Sequence, residues 1–276
     1  MSMVSVRQLM HLAPALMGLL GASMAHAEPF QVKYSVHLIG LPLGSAGLNG
    51  SIDPENYKIE ANARLTGIAS VVSNSKGAAV STGSLEGRKP APATYATTSS
   101  SSVMTRTIRM ALNAGTVRAV DISPPIEEPP DRIPVTDTQR KGIVDPLSAL
   151  IMPIGETETP MSPSSCNRTI PVYDGFTRFD VVLNYSGTKQ VKAVGYTGPV
   201  IVCAARYVPI SGHRPNRRVT EFMAENKDME VWLAPLSTAR VLVPYKISVA
   251  TLVGTTVIEA KEMSFGTQPK STTAKR

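Results

Sequence analysis

The sequence predicts an all-β protein, built as a strongly curved antiparallel sheet or incomplete barrel with one short helix. Apolar and polar residues alternate with a period of two in segment after segment, and turn residues separate the segments. No long helical pattern alternates with these segments, which argues against parallel α/β folds. A sheet of about a dozen strands must curl to cover its edges and its apolar face. The aromatic content of 5% is too low for the girdles of a transmembrane barrel.

The first three strands have the clearest patterns. Residues 30–38 alternate without a break, which predicts a half-buried strand. The segment Gly40-Leu41-Pro42-Leu43-Gly44 predicts a turn, followed by a second strand through Ala46 and Leu48. Residues 57–65 alternate as regularly as the first strand. Their apolar face consists of Tyr57, Ile59, Ala61, Ala63 and Leu65.

The middle of the chain is less regular. Residues 68–73 lose the period of two, which favours one helical turn, and strand-like stretches follow at 78–85 and 94–101. Residues 106–122 predict a hairpin around Asn113-Ala114-Gly115. The segment 123–134 is rich in proline, which cannot donate ladder hydrogen bonds, so we expect a surface loop or linker there.

One helix start is convincing, at Asp145-Pro146. Asp can cap free backbone amides, and Pro fits the first helical position without losing a hydrogen bond. Pro153 would end the helix, which we expect to plug an open end of the curved sheet. A polar loop over 155–165 follows.

The β pattern returns beyond Cys166. Asp174-Gly175 lies between two apolar runs and predicts a tight hairpin turn. Further strands are expected at 191–194, 199–208, 229–233 and 240–243, with a basic loop around Arg214 to Arg218. A closing hairpin joins 245–252 to 255–265 and turns at Gly254.

The two ends of the chain predict export and a loose tail. Residues 1–27 have a basic start, a short apolar core and a small-residue site at Ala25-His26-Ala27, which is typical of a secretory signal peptide cleaved after Ala27. The apolar core is too short for a membrane anchor. We therefore expect a single β domain over residues 28–266, no transmembrane segment after cleavage, and a disordered basic tail over 267–276.

The formal net charge of +7 bears on the choice of partners. An excess of positive charge favours anionic lipid headgroups or cell-surface polyanions. The basic residues are scattered, however, so a solvated basic surface is the simpler interpretation. Nucleic acid is not expected, because no basic stripe carries interleaved aromatic residues. The oligomeric state cannot be read from the chain.

Cys166 and Cys203 are the whole cysteine inventory, and an even count in an exported chain predicts that they pair. They are too far apart in sequence for a Cys-x-x-Cys redox motif, so we expect a structural disulfide.

Few residues suggest a ligand site. His213, Arg214, Arg217 and Arg218 form a candidate anion-binding loop, with a solvated loop as the alternative. Trp232, the single tryptophan, either packs in the core or lines the mouth of a cavity. None of the familiar catalytic or nucleotide-binding motifs is present, so no catalytic residue, metal or cofactor is assigned.

Several segments, in this order, resemble a bacterial envelope family known only as domain of unknown function 3108. They are Gly40-Leu41-Pro42-Leu43-Gly44, Asp145-Pro146-Leu147-Ser148-Ala149-Leu150, Val172-Tyr173-Asp174-Gly175, Val231-Trp232-Leu233-Ala234-Pro235 and Val243-Pro244-Tyr245. The resemblance spans nearly the whole chain after the signal segment. It implies an exported, periplasmic, largely β protein and supplies no catalytic residue or cofactor.

The leading hypothesis is a non-enzymatic cell-envelope protein whose curled sheet binds a lipid-like or amphipathic ligand, or an envelope partner. By analogy of fold, it resembles the incomplete barrels of lipoprotein carriers. One alternative is a hydrolase of envelope glycans or esters, for which two facing acids with shifted pKa values would be evidence. The other is a structural partner-binding module, which would have no cavity but an exposed apolar patch or a free sheet edge.

Overall fold

The computed structural model describes residues 27–67, 70, 74–87, 89–155, 157–236 and 240–266. The signal peptide expected up to Ala27, the tail expected over 267–276 and the helical turn expected within 68–73 lie outside these residues, apart from Ala27 and Ser70. The strands of the described part are β1 (Glu28–Leu38), β2 (Leu41–Ile52), β3 (Asn56–Leu65), β4 (Lys76–Glu86), β5 (Lys89–Ser100), β6 (Thr105–Asn113), β7 (Thr116–Ser123), β8 (Met152–Pro153), β9 (Arg168–Tyr173), β10 (Arg178–Ala193), β11 (Tyr196–Ser211), β12 (Met229–Leu236), β13 (Val241–Thr251) and β14 (Gly254–Phe265). The α-helix α1 spans Arg218–Glu225, and 3-10 turns lie at Thr138–Arg140, Ser148–Leu150 and Pro163–Ser165.

The strands form one antiparallel sheet of 14 strands, which confirms the predicted fold class. Its order is β7-β6-β5-β4-β3-β2-β1-β14-β13-β12-β11-β10-β9, and β8 pairs with β13. The edge strands β7 and β9 are not paired with each other, so the sheet curls without closing.

A short segment of chain spans the gap between the two edges. The amide of Ile143 donates to the Gly115 carbonyl at 2.9 Å, in the turn between β6 and β7. The amide of Val144 donates to the Pro171 carbonyl at 2.8 Å, and the Val144 carbonyl accepts from the Tyr173 amide at 3.0 Å, both on β9. Residues 143–144 therefore supply backbone hydrogen bonds that the missing strand pair would have made.

The predicted alternation decides which face is buried. On β1, Phe30, Val32 and Tyr34 are buried, whereas Lys33 between them is exposed. On β3, Tyr57 and Ile59 are buried on the same inner face. Successive side chains of a strand point to opposite faces, so this single parity positions every inner-face residue of these strands.

Two clusters of buried apolar residues make up the core. The larger contains the inner residues of β1, β2 and β3 together with residues of β12 and β13. The smaller surrounds the disulfide between Cys166 and Cys203 and includes Met152, Leu183 and Leu233. The disulfide, predicted from the cysteine count, is confirmed and joins the segment before β9 to β11.

The position predicted for the helix is wrong. Asp145 does cap the chain, accepting from the amides of Leu147 and Ser148, but only the 3-10 turn Ser148–Leu150 follows before Ile151 becomes extended. An α-helix lies instead at Arg218–Glu225, beginning at the last residue of the predicted basic loop, where Arg217 precedes it without any side-chain cap. A helix without a Ser, Thr, Asp or Asn cap carries no start signal in the sequence.

Three strand boundaries also differ from the prediction. The strand expected at 191–194 is the end of one long strand, β10, which begins at Arg178. Ile39 and Gly40 alone form the first turn, with φ of 52° and 77°, so β2 begins at Leu41. The stretches 240–243 and 245–252 belong to one strand, β13, because an irregularity opposite Trp232 and Leu233 lets the chain pass Pro244 without leaving the sheet.

Candidate functional site

Small side chains leave a trough on the inner face of β2 to β5. The alternation that buries Tyr57 and Ile59 places Ala61 and Ala63 on the same face, further along β3. The residues that pair with these two alanines on the neighbouring strands are Ala46, Leu48, Gly77 and Ala79. Since most of these side chains end at Cβ or lack it, the curved wall is not filled from its own side.

Apolar residues of other elements form the opposite wall of the trough. They are Tyr34, Leu150, Pro244, Ile247 and Ile258, and the volume of this open groove is about 270 Å³. Leu150 belongs to the 3-10 turn that follows Asp145, so this turn lies against the inner face of the sheet where a plug was expected.

The trough widens toward one end of the sheet. Its outer part has a volume of about 430 Å³ and shares Ala63, Gly77 and Ser99 with the inner part. Val36, Gly44, Leu65, Ser75, Ser101, Met104 and Arg106 also line it. Arg106 pairs with Ser99 across β5 and β6 and donates to the Pro124 carbonyl at 3.3 Å, which places a guanidinium group at the mouth.

A buried polar network anchors the turn that bears Leu150. Asp145, fully buried, accepts from the Ser81 hydroxyl at 2.9 Å and from the Ser148 hydroxyl. Ser148 Oγ also lies 2.7 Å from Tyr57 Oη in a hydrogen bond. Burial raises the pKa of Asp145 above its usual value, partly offset by these hydrogen bonds, and burial likewise raises the pKa of Tyr57.

Asp145 and Asp174 are carboxyls whose pKa is raised by burial. Asp174 accepts from the amides of Phe176 and Thr177 in the tight turn before β10, at 2.8 and 2.6 Å, as Asp145 does in its own turn. Neither aspartate lines the trough, and the described residues that do line it include no Asp, Glu, His or Cys. Both carboxyls therefore organise turns.

A second cavity, of about 590 Å³, lies beside the gap between the sheet edges. Gly115, Ile143 and Val144 are part of its lining, together with the ion pair of Arg178 and Asp180, whose charged atoms are 2.6 Å apart. Its walls are more polar than those of the trough, and it borders residues 143–144, which span the gap, rather than the open end of the trough.

The candidate anion-binding loop is partly committed to contacts within the protein. Arg214 Nε donates to Asp131 at 2.7 Å, and this contact lowers the pKa of Asp131. The His213 carbonyl accepts from the Ile133 amide at 3.0 Å. The imidazole Nδ1 of His213 is buried and has no hydrogen-bond partner among the described residues. Arg217 and Arg218 are exposed at the start of α1. His213 and Arg214 thus contact the proline-rich segment, and none of the four residues lines the trough.

Trp232 is half-buried and packs against the larger core cluster, and it does not line the trough. The ammonium groups of Lys189 and Lys246 each lie 4.3 Å from the centre of its ring, close enough for cation–π interactions.

No three His, Cys, Asp or Glu side chains in the described ranges come together as a metal site requires. Within those same ranges, no helix has the length and apolar character to cross a membrane. The residues that form the trough were missed at the sequence level. The available signal was the run of Ala and Gly on the inner face of β2 to β4, where bulkier apolar residues usually fill a core.

The comparisons with known proteins concern family and fold. The sequence model of a family described as "Protein of unknown function (DUF3108)" matches residues 30–261. The crystal structure of a beta-barrel-like protein of domain of unknown function DUF1849 from Brucella abortus is similar in fold, with a TM-score of 0.50 and 10% identity. The similarity covers 86% of this chain and 97% of that one. No curated protein matches the chain significantly.

Proposed function

The chain belongs to the DUF3108 family of unknown function, and from that premise we propose that it is a non-enzymatic cell-envelope protein whose trough holds the acyl part of an amphipathic ligand. The proposal includes export, with the signal peptide cleaved after Ala27, and residence in the periplasm. The disulfide of Cys166 and Cys203 supports this location, because disulfides persist in oxidising compartments.

One observation carries the proposal: an apolar trough runs along a wall made of small side chains. The inner and outer parts, of about 270 and 430 Å³, fall in or near the range of small-molecule pockets. Covering such a surface with an alkyl chain stabilises the complex by about 25 cal/mol for each Å² of apolar area removed from water.

The distribution of polarity specifies an amphipathic rather than a wholly apolar ligand. The inner part, between Ala61 and Ile247, has mainly apolar walls, whereas Ser75, Ser101 and Arg106 lie toward the mouth. A ligand whose alkyl chain occupies the inner part would place its headgroup among these hydroxyls and the guanidinium. Guanidinium groups bind carboxylate and phosphate oxygens through charge-assisted hydrogen bonds.

The test is extraction of the purified protein, followed by mass spectrometry of the bound lipids. Ala63→Phe is the informative variant, because Ala63 lies where the two parts meet and its paired neighbours, Ala46 and Gly77, leave room for a ring. Ala96→Phe is the matched control, because Ala96 pairs with Val80 and Arg109 on the opposite face of β5.

We expect lipid in the wild type and in Ala96→Phe, and about ten-fold less in Ala63→Phe, while all three unfold at the same urea concentration. Empty wild-type protein that also fails to take up an added fatty acid would overturn the proposal. Equal lipid in the two variants would show that the ligand lies elsewhere, and would overturn the assignment of the trough.

A further inference from the structure

Exposed apolar side chains concentrate at the open end of the trough. Eleven large apolar side chains are exposed in the described part of the chain, and six of them belong to three neighbouring turns. We refer to these six as the apolar rim: Ile39, Leu41, Val103, Met104, Leu252 and Val253. Val103 is 92% exposed and Leu41 71%, so no described residue covers them.

The topology places the three turns at one end of the sheet. In an antiparallel sheet, alternate connections lie at the same end, and the connections β1 to β2, β5 to β6 and β13 to β14 are among those at this end. Ile39 donates through its amide to the Thr255 carbonyl at 2.9 Å, which joins the first turn to the last. Met104 lines the outer part of the trough, so the rim borders its mouth.

The backbone at Ile39 is unusual for a surface residue. Its φ of 52° lies in the left-handed region, which β-branched residues rarely adopt. Such conformations persist where the surroundings hold them, and they cluster at functional sites. Here the conformation holds a 67% exposed isoleucine at the outer edge of the protein.

The charges that line the outer part of the trough have one sign. Arg64, Lys76 and Arg106 line the outer part of the trough. The turns and strand ends that carry the rim and these basic residues, 36–46, 62–67, 74–79, 97–108 and 248–258, contain no Asp or Glu. The nearest acidic residue on β12's side is Asp228, whose carbonyl accepts from the Ala250 amide at 3.0 Å. The next basic residue of β6, Arg109, is already paired with Asp121 at 3.3 Å.

We propose that this end of the sheet docks on the surface of an anionic lipid bilayer, with the apolar rim among the headgroups and the trough mouth facing the membrane. Interfacial binding requires apolar side chains that insert and basic ones that attract anionic lipid, and this end provides both. The inference rests on the proposed function in one respect: docking would let a membrane lipid reach the trough without crossing water.

The test is co-sedimentation of the purified protein, as it is after cleavage of the signal peptide, with vesicles of phosphatidylcholine, with and without phosphatidylglycerol. The informative variant is Val103→Asp/Val253→Asp, which places carboxylates on the rim. The matched control is Tyr185→Asp/Val194→Asp, which adds the same charge at exposed apolar residues of β10 and of the turn between β10 and β11, at the opposite end of the sheet. Circular dichroism verifies that both variants fold, and the lipid content of each protein is measured in parallel.

We expect wild type and control to bind vesicles that contain phosphatidylglycerol, and the rim variant to bind at least about ten-fold less. Wild-type protein that stays in solution with both vesicle types, or a rim variant that binds like the control, would overturn membrane docking. Lipid-loaded protein that does not sediment would refute docking alone. Empty protein that sediments would refute the trough ligand alone.

Discussion

Asp145 and Ser81, 64 residues apart in the chain, share a hydrogen bond of 2.9 Å in the interior of the curled sheet. Ser81 belongs to β4, on the wall of the sheet, and Asp145 begins the turn that carries Leu150 into the trough. The same carboxylate accepts from the amides of Leu147 and Ser148. The bond therefore fixes the position of the inner end of the trough.

Asp145→Asn should destabilise the protein by about 1–3 kcal/mol, because an amide nitrogen replaces an acceptor oxygen and leaves buried donors unsatisfied. Urea unfolding gives the free energy. Thr82→Ala serves as the control, because the hydroxyl of Thr82, next to Ser81, bonds only the exposed Thr94 hydroxyl in the described contacts. Equal losses in the two variants would contradict the assigned role of Asp145.

The pH dependence of stability, compared between the wild type and Asp145→Asn, provides a second test. Burial raises the pKa of Asp145 above its ordinary value of 3.8, so between the two values the folded state binds more protons than the unfolded state. The contribution of Asp145 to the free energy of unfolding therefore falls as the pH rises through that window and then levels off. The free-energy difference between wild type and Asp145→Asn should follow this curve, since other groups, Asp174 included, cancel in the difference. A flat difference would contradict it.

Replacing both Cys166 and Cys203 with alanine should cost about 4 kcal/mol, the chain-entropy value for two residues separated by 37 positions. Both sulfur atoms are buried in the smaller core cluster, so alanine leaves no buried polar group there. Urea unfolding with and without dithiothreitol measures the effect. The reductant should lower the free energy of unfolding of the wild type and leave that of the variant unchanged. A similar response of both proteins would contradict this prediction.

Arg132 connects the proline-rich segment to the rest of the fold, and Arg132→Ala should cost about 2–4 kcal/mol. Its guanidinium donates to the carbonyls of Gly212 and Phe176 at 2.9 and 2.6 Å and lies 3.8 Å from the centre of the Phe176 ring. Removing it leaves two carbonyls without these donors and should speed proteolysis between residues 124 and 135. Arg109→Ala, which breaks an exposed ion pair, is the control and should change stability by less than about 1 kcal/mol.

Trp232 should be quenched more strongly by iodide than by caesium, because two ammonium groups flank its ring and attract anions. As the single tryptophan, it is the only source of indole fluorescence. The double change Lys189→Gln/Lys246→Gln should reduce the preference for iodide, and Lys33→Gln/Lys58→Gln, which removes the same charge from β1 and β3, should not. An unchanged preference in the first variant would contradict the cation–π geometry.

The alternation of β1 and β3 and the hairpin at Asp174-Gly175 were predictable, because strand parity and tight turns depend on residues close in sequence. The helix α1 was not, because Arg217 provides no cap and the helix gains part of its support from β11, where Arg206 donates to the Ala224 carbonyl at 3.2 Å. The 3-10 turn after Asp145 had a correct start signal, but contacts with Ser81 and Tyr57 hold it as one turn.

The fold class, the paired cysteines and the family could be predicted from the sequence, since they follow from periodicity, residue count and ordered local motifs. The sequence also predicted Ala61 and Ala63 on an inner face, but not that this face would remain open. That property arises when the chain folds, because the apolar residues that complete the trough, Leu150, Pro244 and Ile258, are far away in the chain. The gap spanned by Ile143 and Val144 and the rim formed by three separate turns have the same origin: both depend on how far the sheet curls, a property of all its strands together.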